Sequence, residues 1–166
     1  MKQSPDLTRA QERMKPGVIT QCGFLGNEKR NLIDILIEDD AEVQRLNTTH
    51  KKIAHRMKEL RDKGLAGLGM FEKVEDNFEV KVESARGALP SPFDEQVMIG
   101  KQNTVVKNLK LGREVFYTDL NIHMIEHHGF YQGKGSLFRI EPAELVEVLE
   151  VKRNIEKPLP DYYPQG

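Results

Sequence analysis

The sequence predicts one domain of the α+β class, with antiparallel hairpins packed against four or so helices. Its strand-like segments come in neighbouring pairs joined by short turns, and its helix-like segments begin and end at recognisable capping residues. A chain of 166 residues, of which 38% are hydrophobic and 31% charged, can bury one core without disulfides. Strands and helices do not alternate one by one, and this favours α+β over a doubly wound parallel sheet.

The two ends of the chain differ in composition from its middle. Residues 1–17 are polar and contain two prolines, so we interpret them as an N-terminal arm with one short helix near residues 7–14. Residues 154–166 form a Pro-rich tail that we expect to be extended. The single domain is therefore expected over residues 18–153.

The first helix of the domain is predicted to begin at Asn27, a good N-cap residue, after a short strand or extended segment at residues 18–21. Apolar residues then recur near the 3.6-residue helical period as far as Leu46. An unbroken helix would bury Asp39 on the apolar stripe, where a carboxylate needs a partner or a function. The favoured alternative is a break just before Asp39, which would cap a new helix and form a capping box with Glu42.

The next helix has clear ends, because Thr48 or Thr49 can cap its start and Gly64 can end it. It lies within the one clearly basic stretch of the chain, residues 45–63. The string LNTTHKKIAHRMKEL in this stretch resembles the second helix region of helix-turn-helix proteins, and the resemblance implies binding of nucleic acid. Glycines follow where the recognition helix of such proteins would start, so we favour a solvated helix face.

Two hairpins are predicted from pairs of alternating or β-branched segments. Residues 78–83 alternate apolar and polar side chains and are expected to pair with residues 70–74. Residues 105–111 and 114–118 flank a glycine and form the second pair. Residues 86–103 between the hairpins have glycines, prolines and no sustained period, so we predict a long loop there.

The last third of the chain is predicted to contain two helices and one strand. Asp119 caps a short helix over residues 120–128, which a glycine ends. Residues 137–140 are expected to form a last short strand. Pro142 then opens a helix over residues 143–152.

The most specific chemical pattern is the string HMIEH on the helix at residues 120–128. His123 and His127 lie one helical turn apart, with Glu126 beside them, and two imidazoles at that spacing can bind one Zn²⁺. The string resembles the inverted zinc-peptidase (inverzincin) motif over five residues; the resemblance implies that the histidines bind zinc and that Glu126 is the general base. Peptidases of that family are much larger and take a third ligand from a glutamate further downstream than this chain extends. Three glutamates of this chain could take its place, and the sequence selects none of them: Glu141, Glu144 and Glu147.

The alternative for this string is an amphipathic helix whose histidines hydrogen-bond to neighbouring groups. The glycine-rich loop that follows carries Tyr131 and Lys134. Its backbone N–H groups and the Lys134 ammonium could hold an anion, so Tyr131 and Lys134 are candidate ligand-binding residues and Lys134 a candidate oxyanion donor. A turn with aromatic plugs is the other interpretation of this loop. The single cysteine, Cys22, excludes an intrachain disulfide and is expected to be buried.

Composition narrows the possible functions without selecting one. The net charge of −1 gives no global field that would attract a polyanion, and no segment has the signature of a signal peptide or a membrane span. We therefore expect a cytoplasmic interaction module that meets a protein partner or its own copy through residues 86–103 and the tail. A small zinc-dependent hydrolase built on His123, Glu126 and His127 is the second hypothesis. Nucleic-acid binding through residues 45–63 is the third.

Overall fold

The computed structural model describes residues 2–93 and 96–154. In this part of the chain, five α-helices accompany one four-stranded antiparallel sheet, which confirms the predicted α+β class. The helices are α1 (Pro5–Arg13), α2 (Leu32–Arg45), α3 (His50–Gly64), α4 (Asp119–His128) and α5 (Pro142–Val148). The strands are β1 (Glu72–Val74), β2 (Phe78–Pro90), β3 (Met98–Asn108) and β4 (Arg113–Thr118).

The sheet is a meander in which each strand pairs with the next one along the chain, and this confirms both predicted hairpins. Helix α3 packs on β2 and helix α4 packs on β3, so both helices cover the same layer of buried strand side chains. Tyr117 of β4 is fully buried, and its hydroxyl donates a 2.8 Å hydrogen bond to the carbonyl oxygen of Met57 in α3. This bond fixes the helix layer relative to the sheet.

A second apolar cluster joins α1, α2 and α4. Ala10 and Met14, which lie in the segment interpreted as an arm, are buried in this cluster. The side chain of Gln11 accepts a 3.0 Å hydrogen bond from the backbone N–H of Leu32, at the start of α2. The N-cap residue of α2 makes no side-chain cap of its own, so α1 supplies part of that cap.

The predicted break in α2 is wrong, because the helix runs through Asp39 without interruption. The Asp39 side chain is only 5% exposed, and the guanidinium of Arg139 binds both of its carboxylate oxygens at 2.9 and 3.0 Å. A bidentate arginine satisfies a buried carboxylate, so the helix does not have to end there. The less favoured alternative, a buried acid that needs a partner, is therefore correct.

The predicted long loop at residues 86–103 is also wrong over most of its length. Strands β2 and β3 continue as one hairpin, in which Ala88 pairs with Gly100 and Leu89 with Ile99. The register shifts between Ala85 and Ala88, at a bulge that contains Gly87 with a φ of +97°. Most side chains in this half of the hairpin are exposed or half-buried, so no alternation marks its strands in the sequence.

Several smaller expectations also need correction. Helix α2 begins at Leu32, later than the predicted start at Asn27. The described residues 18–21 and 137–140 form turns and irregular chain, because their backbones pair with no strand. Thr118, with a capping box to Asn121, is the N-cap of α4 in place of Asp119. Helix α5 ends at Val148, which is earlier than predicted. Cys22, expected to be buried, is exposed.

Three further expectations concern helix α3, membrane-spanning helices and the Pro-rich tail. Helix α3 begins after the N-cap Thr49 and ends at Gly64, as predicted. No helix among the described residues is both long and apolar enough to cross a membrane. Of the Pro-rich tail, only Asn154 belongs to the described residues, so the rest of that prediction lies outside them.

Candidate functional site

Helix α4 presents His123 and His127 on one edge, as the sequence predicts. The centroids of their rings are 4.6 Å apart, and the ring planes are tilted by 43°. The helix ends at Gly129, whose φ of +61° is the left-handed conformation typical of a C-terminal glycine cap. The ring of His50 lies so close that a Cβ at Gly129 would sit 2.8 Å from its Nε2 atom. This contact brings α4 and the start of α3 together.

Glu126, the candidate general base, forms an ion pair with α3. The Lys58 ammonium donates to both Glu126 carboxylate oxygens, at 2.6 and 2.8 Å. These hydrogen bonds, opposed in part by desolvation, lower the pKa of Glu126 below its ordinary value. His127 Nε2 lies 3.2 Å from the same carboxylate. Glu126 is therefore an ionised, occupied carboxylate, and its lowered pKa makes it a weaker base.

The glutamates considered as a third zinc ligand pair with arginines. Glu141 accepts from Arg139 at 2.8 and 2.9 Å, and Glu147 accepts from Arg113 at 3.0 Å. Glu144 lies 3.9 Å from the same Arg113 guanidinium. Within residues 2–93 and 96–154, no group of three or more His, Cys, Asp or Glu side chains is arranged to hold a metal ion. The zinc site stays a prediction that has two adjacent imidazoles as its geometric support.

A groove of about 740 Å³ opens beside these residues, between α2, α3 and α4. We call it the helix groove. Its apolar wall comes from Leu36, Ile37 and Ala41 of α2, and its polar groups come from all three helices. These polar side chains are Asp40, Gln44, Thr49, His50, Lys51, Glu126, His127 and His128.

His50 forms the centre of a network that sequence reasoning missed. Its Nε2 atom lies 2.9 Å from Oδ1 of Asp40, and its Nδ1 atom lies 2.9 Å from the hydroxyl of Tyr131. An ionised Asp40 can only accept, so Nε2 of a neutral His50 carries the proton and Nδ1 accepts from the tyrosine. Both ring nitrogens are therefore used in linking α2, α3 and the loop after α4.

Tyr131 has a different position from the one predicted. Its side chain is almost fully buried, and its hydroxyl forms a hydrogen bond with His50. Tyr131 does not line the helix groove. Burial raises the pKa of the Tyr131 phenol far above its usual value, and the charges of Asp39 and Asp40 raise it further. The phenol consequently stays protonated and can keep donating to His50.

Lys134 pairs with a carboxylate of α2 and is not among the residues of the helix groove. Its ammonium is 3.2 Å from a carboxylate oxygen of Glu38. Hydrogen bonds from Arg30, and then from Lys134, lower the pKa of Glu38. The structure thus brings His127 and Glu126 together in one groove but leaves Lys134 outside it.

A second groove, of about 1020 Å³, runs between α3 and residues 150–154. We call it the terminal groove. It shares Lys51 and Glu126 with the helix groove, so the two grooves adjoin at these side chains along α3, and we call the pair the channel. The cations along its lining are Lys51, Lys52, Arg56, Lys152 and Arg153, and its acids are Glu59, Glu75, Glu126 and Glu150.

The cations of the basic stretch and of residues 150–154 differ in their partners. Five cations of the basic stretch form ion pairs with nearby carboxylates: Arg45, Arg56, Lys58, Arg61 and Lys63. Lys51, Lys152 and Arg153 are exposed, and within the described ranges no carboxylate forms an ion pair with them. Among the described residues, these three cations are available to contact a ligand.

Comparison with protein-family models, with curated proteins and with solved structures found no match. The two grooves of the channel and the residues that line them are therefore the features that bear on function.

Proposed function

We propose that this protein is a binding module for an extended polypeptide segment that carries both acidic and apolar side chains. The observation that supports this proposal most directly is that the two grooves adjoin at Lys51 and Glu126. Along α3 the channel lining extends from Thr49 to Glu59, which is about 15 Å of helix. An extended peptide covers that length with about five residues. A channel of this length suits a peptide better than a compact metabolite.

The chemistry of the lining varies along the channel. At one end, Ile37 is 43% exposed and, with Leu36 and Ala41, offers an apolar wall for a side chain of the partner. At the other end, Lys152 and Arg153 project without acidic partners in the described chain. A segment with an apolar residue at the first end and acidic residues at the second complements both.

Nucleic acid, the third hypothesis, is less well supported by the same residues. Five cations of the basic stretch form ion pairs with carboxylates, so they are less available to neutralise phosphates. Four glutamates also line the terminal groove, and their charges would repel a phosphate backbone. A polypeptide can place its own neutral or basic residues against those glutamates.

The zinc-hydrolase hypothesis has less geometric support than peptide binding. A general base has to reach a metal-bound water, and the Glu126 carboxylate is bound by the Lys58 ammonium at both oxygens. Release of Glu126 would break that ion pair. His127 and Glu126 therefore fit better as polar contacts in the wall of the channel.

The proposal can be tested by selection from a displayed library of random peptides that are longer than the channel. We expect the wild-type protein to enrich sequences that combine acidic and apolar residues. The double variant Lys51→Glu, Lys152→Glu should lose that enrichment, because its charges repel acidic side chains. Lys29→Glu is the matched control, since Lys29 is exposed and lines neither groove. Failure to enrich any motif, or equal enrichment by the double variant, would count against the proposal.

A further inference from the structure

A third cavity, of about 270 Å³, lies away from the channel. It is formed between the loop after α4 and the far half of the β2–β3 hairpin, which is the part beyond the bulge at residues 85–88. None of its lining residues lines the channel. Six apolar side chains from separate parts of the chain form its walls: Phe24, Leu89, Ile99, Phe116, Leu120 and Phe138. None of the twelve residues that line it is acidic.

The bulged hairpin positions one wall of this cavity. The register shift between Ala85 and Ala88 falls where the two strands leave the main body of the sheet, and it allows Leu89 and Ile99 to face the cavity as a pair. The opposite wall comes from Phe116 of β4 and from Phe138, whose ring centroids are 6.1 Å apart. Both rings are about two-fifths exposed, so the cavity is open to solvent at this wall.

Gln132 provides a buried polar group in this apolar setting. The residue is 3% exposed, and its φ of +74° is an uncommon backbone conformation for a side chain with a Cβ. Its Oε1 atom accepts a 2.6 Å hydrogen bond from Ser136, and Arg139 donates to its backbone carbonyl at 2.7 Å. No residue in the described ranges accepts a hydrogen bond from its Nε2 atom. Gln132 lines the cavity, so its side-chain amide can donate a hydrogen bond to a ligand there.

Lys101 places a positive charge at the rim of the same cavity. The side chain is exposed, and within residues 2–93 and 96–154 it has no ion-pair partner. Asn103, one pleat further along β3, adds an amide to the lining. The cavity therefore combines an apolar interior, one cation and amide donors, with no carboxylate to repel an anion.

We propose that this cavity binds a small monocarboxylate with an aromatic or branched-alkyl body. The body would pack between the Phe116 and Phe138 rings and the Leu89–Ile99 pair, and the carboxylate would accept from Lys101 and from the Gln132 amide. The volume equals roughly nine water molecules at about 30 Å³ each, which is room for one ring and a short chain. The site is independent of the channel, and a ligand here need not affect peptide binding.

The probe for the test is phenylacetate, with phenylacetamide as its neutral counterpart and acetate as the anion without a ring. Binding is measured by ligand-observed NMR and by the shift of the thermal midpoint. We expect phenylacetate to bind with a Kd of about 1 mM or less, and acetate to bind far more weakly. Lys101→Gln should weaken phenylacetate by roughly tenfold and leave phenylacetamide unchanged.

Two further variants make the result decisive. Phe138→Ala should weaken both aromatic probes, because it removes one wall of the cavity. Lys110→Gln is the charge-matched control on the β3–β4 turn and should change neither affinity. The proposal would be overturned if phenylacetate failed to bind at millimolar concentration, or if its affinity were the same in wild type, Lys101→Gln and Phe138→Ala. Binding that depended only on charge, with acetate as tight as phenylacetate, would also overturn it.

Discussion

At the scale of single residues, the buried Asp39–Arg139 ion pair is expected to contribute to the free energy of unfolding. Both side chains are more than nine-tenths buried, and they join α2 to the segment before α5. Removing one member of a buried pair leaves an uncompensated charge, which typically costs about 3–5 kcal/mol. We therefore expect Arg139→Met to lower the free energy of unfolding by about that amount, as measured by urea denaturation.

The double variant Asp39→Leu, Arg139→Met distinguishes charge from packing. Because it removes both charges, we expect it to recover most of the stability that Arg139→Met loses. If the double variant were as unstable as the single one, the buried charge would not be the cause. A single variant within about 1 kcal/mol of wild type would contradict the account of the pair altogether.

The Glu75 carboxylate predicts a specific dependence of stability on pH. Hydrogen bonds from Arg56, and then from Lys63, lower its pKa to about 2. A pKa that is lower in the folded state stabilises the fold above the unfolded value, near pH 4.5, and this contribution is lost as the pH falls towards 2. The side chain is about one-third exposed, so we expect Glu75→Gln to cost only about 1 kcal/mol at pH 7.

Urea denaturation at several pH values checks this prediction. The stability difference between wild type and Glu75→Gln should be constant from pH 7 to about 5 and should shrink below pH 4.5. Glu114→Gln, at an exposed position on β4, is the control and should show little difference at any pH. A Glu75→Gln difference that did not change between pH 7 and pH 3 would contradict the assignment.

Sequence reasoning identified some residues of the site and missed others for a definite reason. His123, Glu126 and His127 were found because one helical turn places them together, and helical spacing can be read from the chain. The contacts of His50 with Asp40 and with Tyr131 were missed because they join residues that are 10 and 81 positions apart. Such a contact depends on how three elements pack, and no local pattern in the sequence records it.

At the scale of elements, the junction between α4 and α3 depends on Gly129. A Cβ there would meet the His50 ring at 2.8 Å and would also require a side chain at a φ of +61°. We expect Gly129→Ala to destabilise the protein by at least about 1–2 kcal/mol, because it combines the conformational cost with a clash.

Gly112→Ala separates the two effects, since Gly112 has a φ of +63°, close to that of Gly129, and nothing within 4 Å of its hypothetical Cβ. Urea denaturation of both variants gives the conformational cost alone from Gly112→Ala and the added clash from Gly129→Ala. The NMR signals of His50 should also shift in Gly129→Ala and should not shift in the control variant. Equal destabilisation by the two substitutions would mean that the His50 contact is not tight.

The elements themselves show which patterns predict well. Helix α3 and the two hairpins near it were predicted because one face of each is buried, so the apolar period is visible. The far half of the β2–β3 hairpin was mistaken for a loop because it is largely exposed, and exposure removes the alternation. Helix α2 was broken at Asp39 in the prediction because its partner, Arg139, lies 100 residues further along the chain.

At the scale of the whole molecule, α4 belongs to both apolar clusters. Ile122 and Ile125 pack in the sheet cluster, while Leu120 and Met124 pack in the cluster with α1 and α2. One helix therefore connects the sheet to the N-terminal helices and also carries part of the channel wall. Movement of α4 would change both clusters and the channel together.

The channel is the feature on which the functional account depends. Its residues come from α2, α3, α4 and residues 150–154, so it exists only in the folded chain. The described residues of the predicted contact surface, 86–93 and 96–103, belong mostly to strands β2 and β3 and line neither groove of the channel. Self-association through that hairpin stays a prediction, and it is separate from the binding proposed for the channel.

The most direct test of the central claim is an NMR titration of the isotope-labelled full chain with a peptide selected by the wild-type protein. The account predicts that the amide signals that shift will cluster along the channel, around Ile37, Lys51 and Lys152, and that added salt will weaken binding. Shifts that cluster instead at the third cavity, around Leu89, Ile99 and Phe138, or no shifts at saturating peptide, would contradict it.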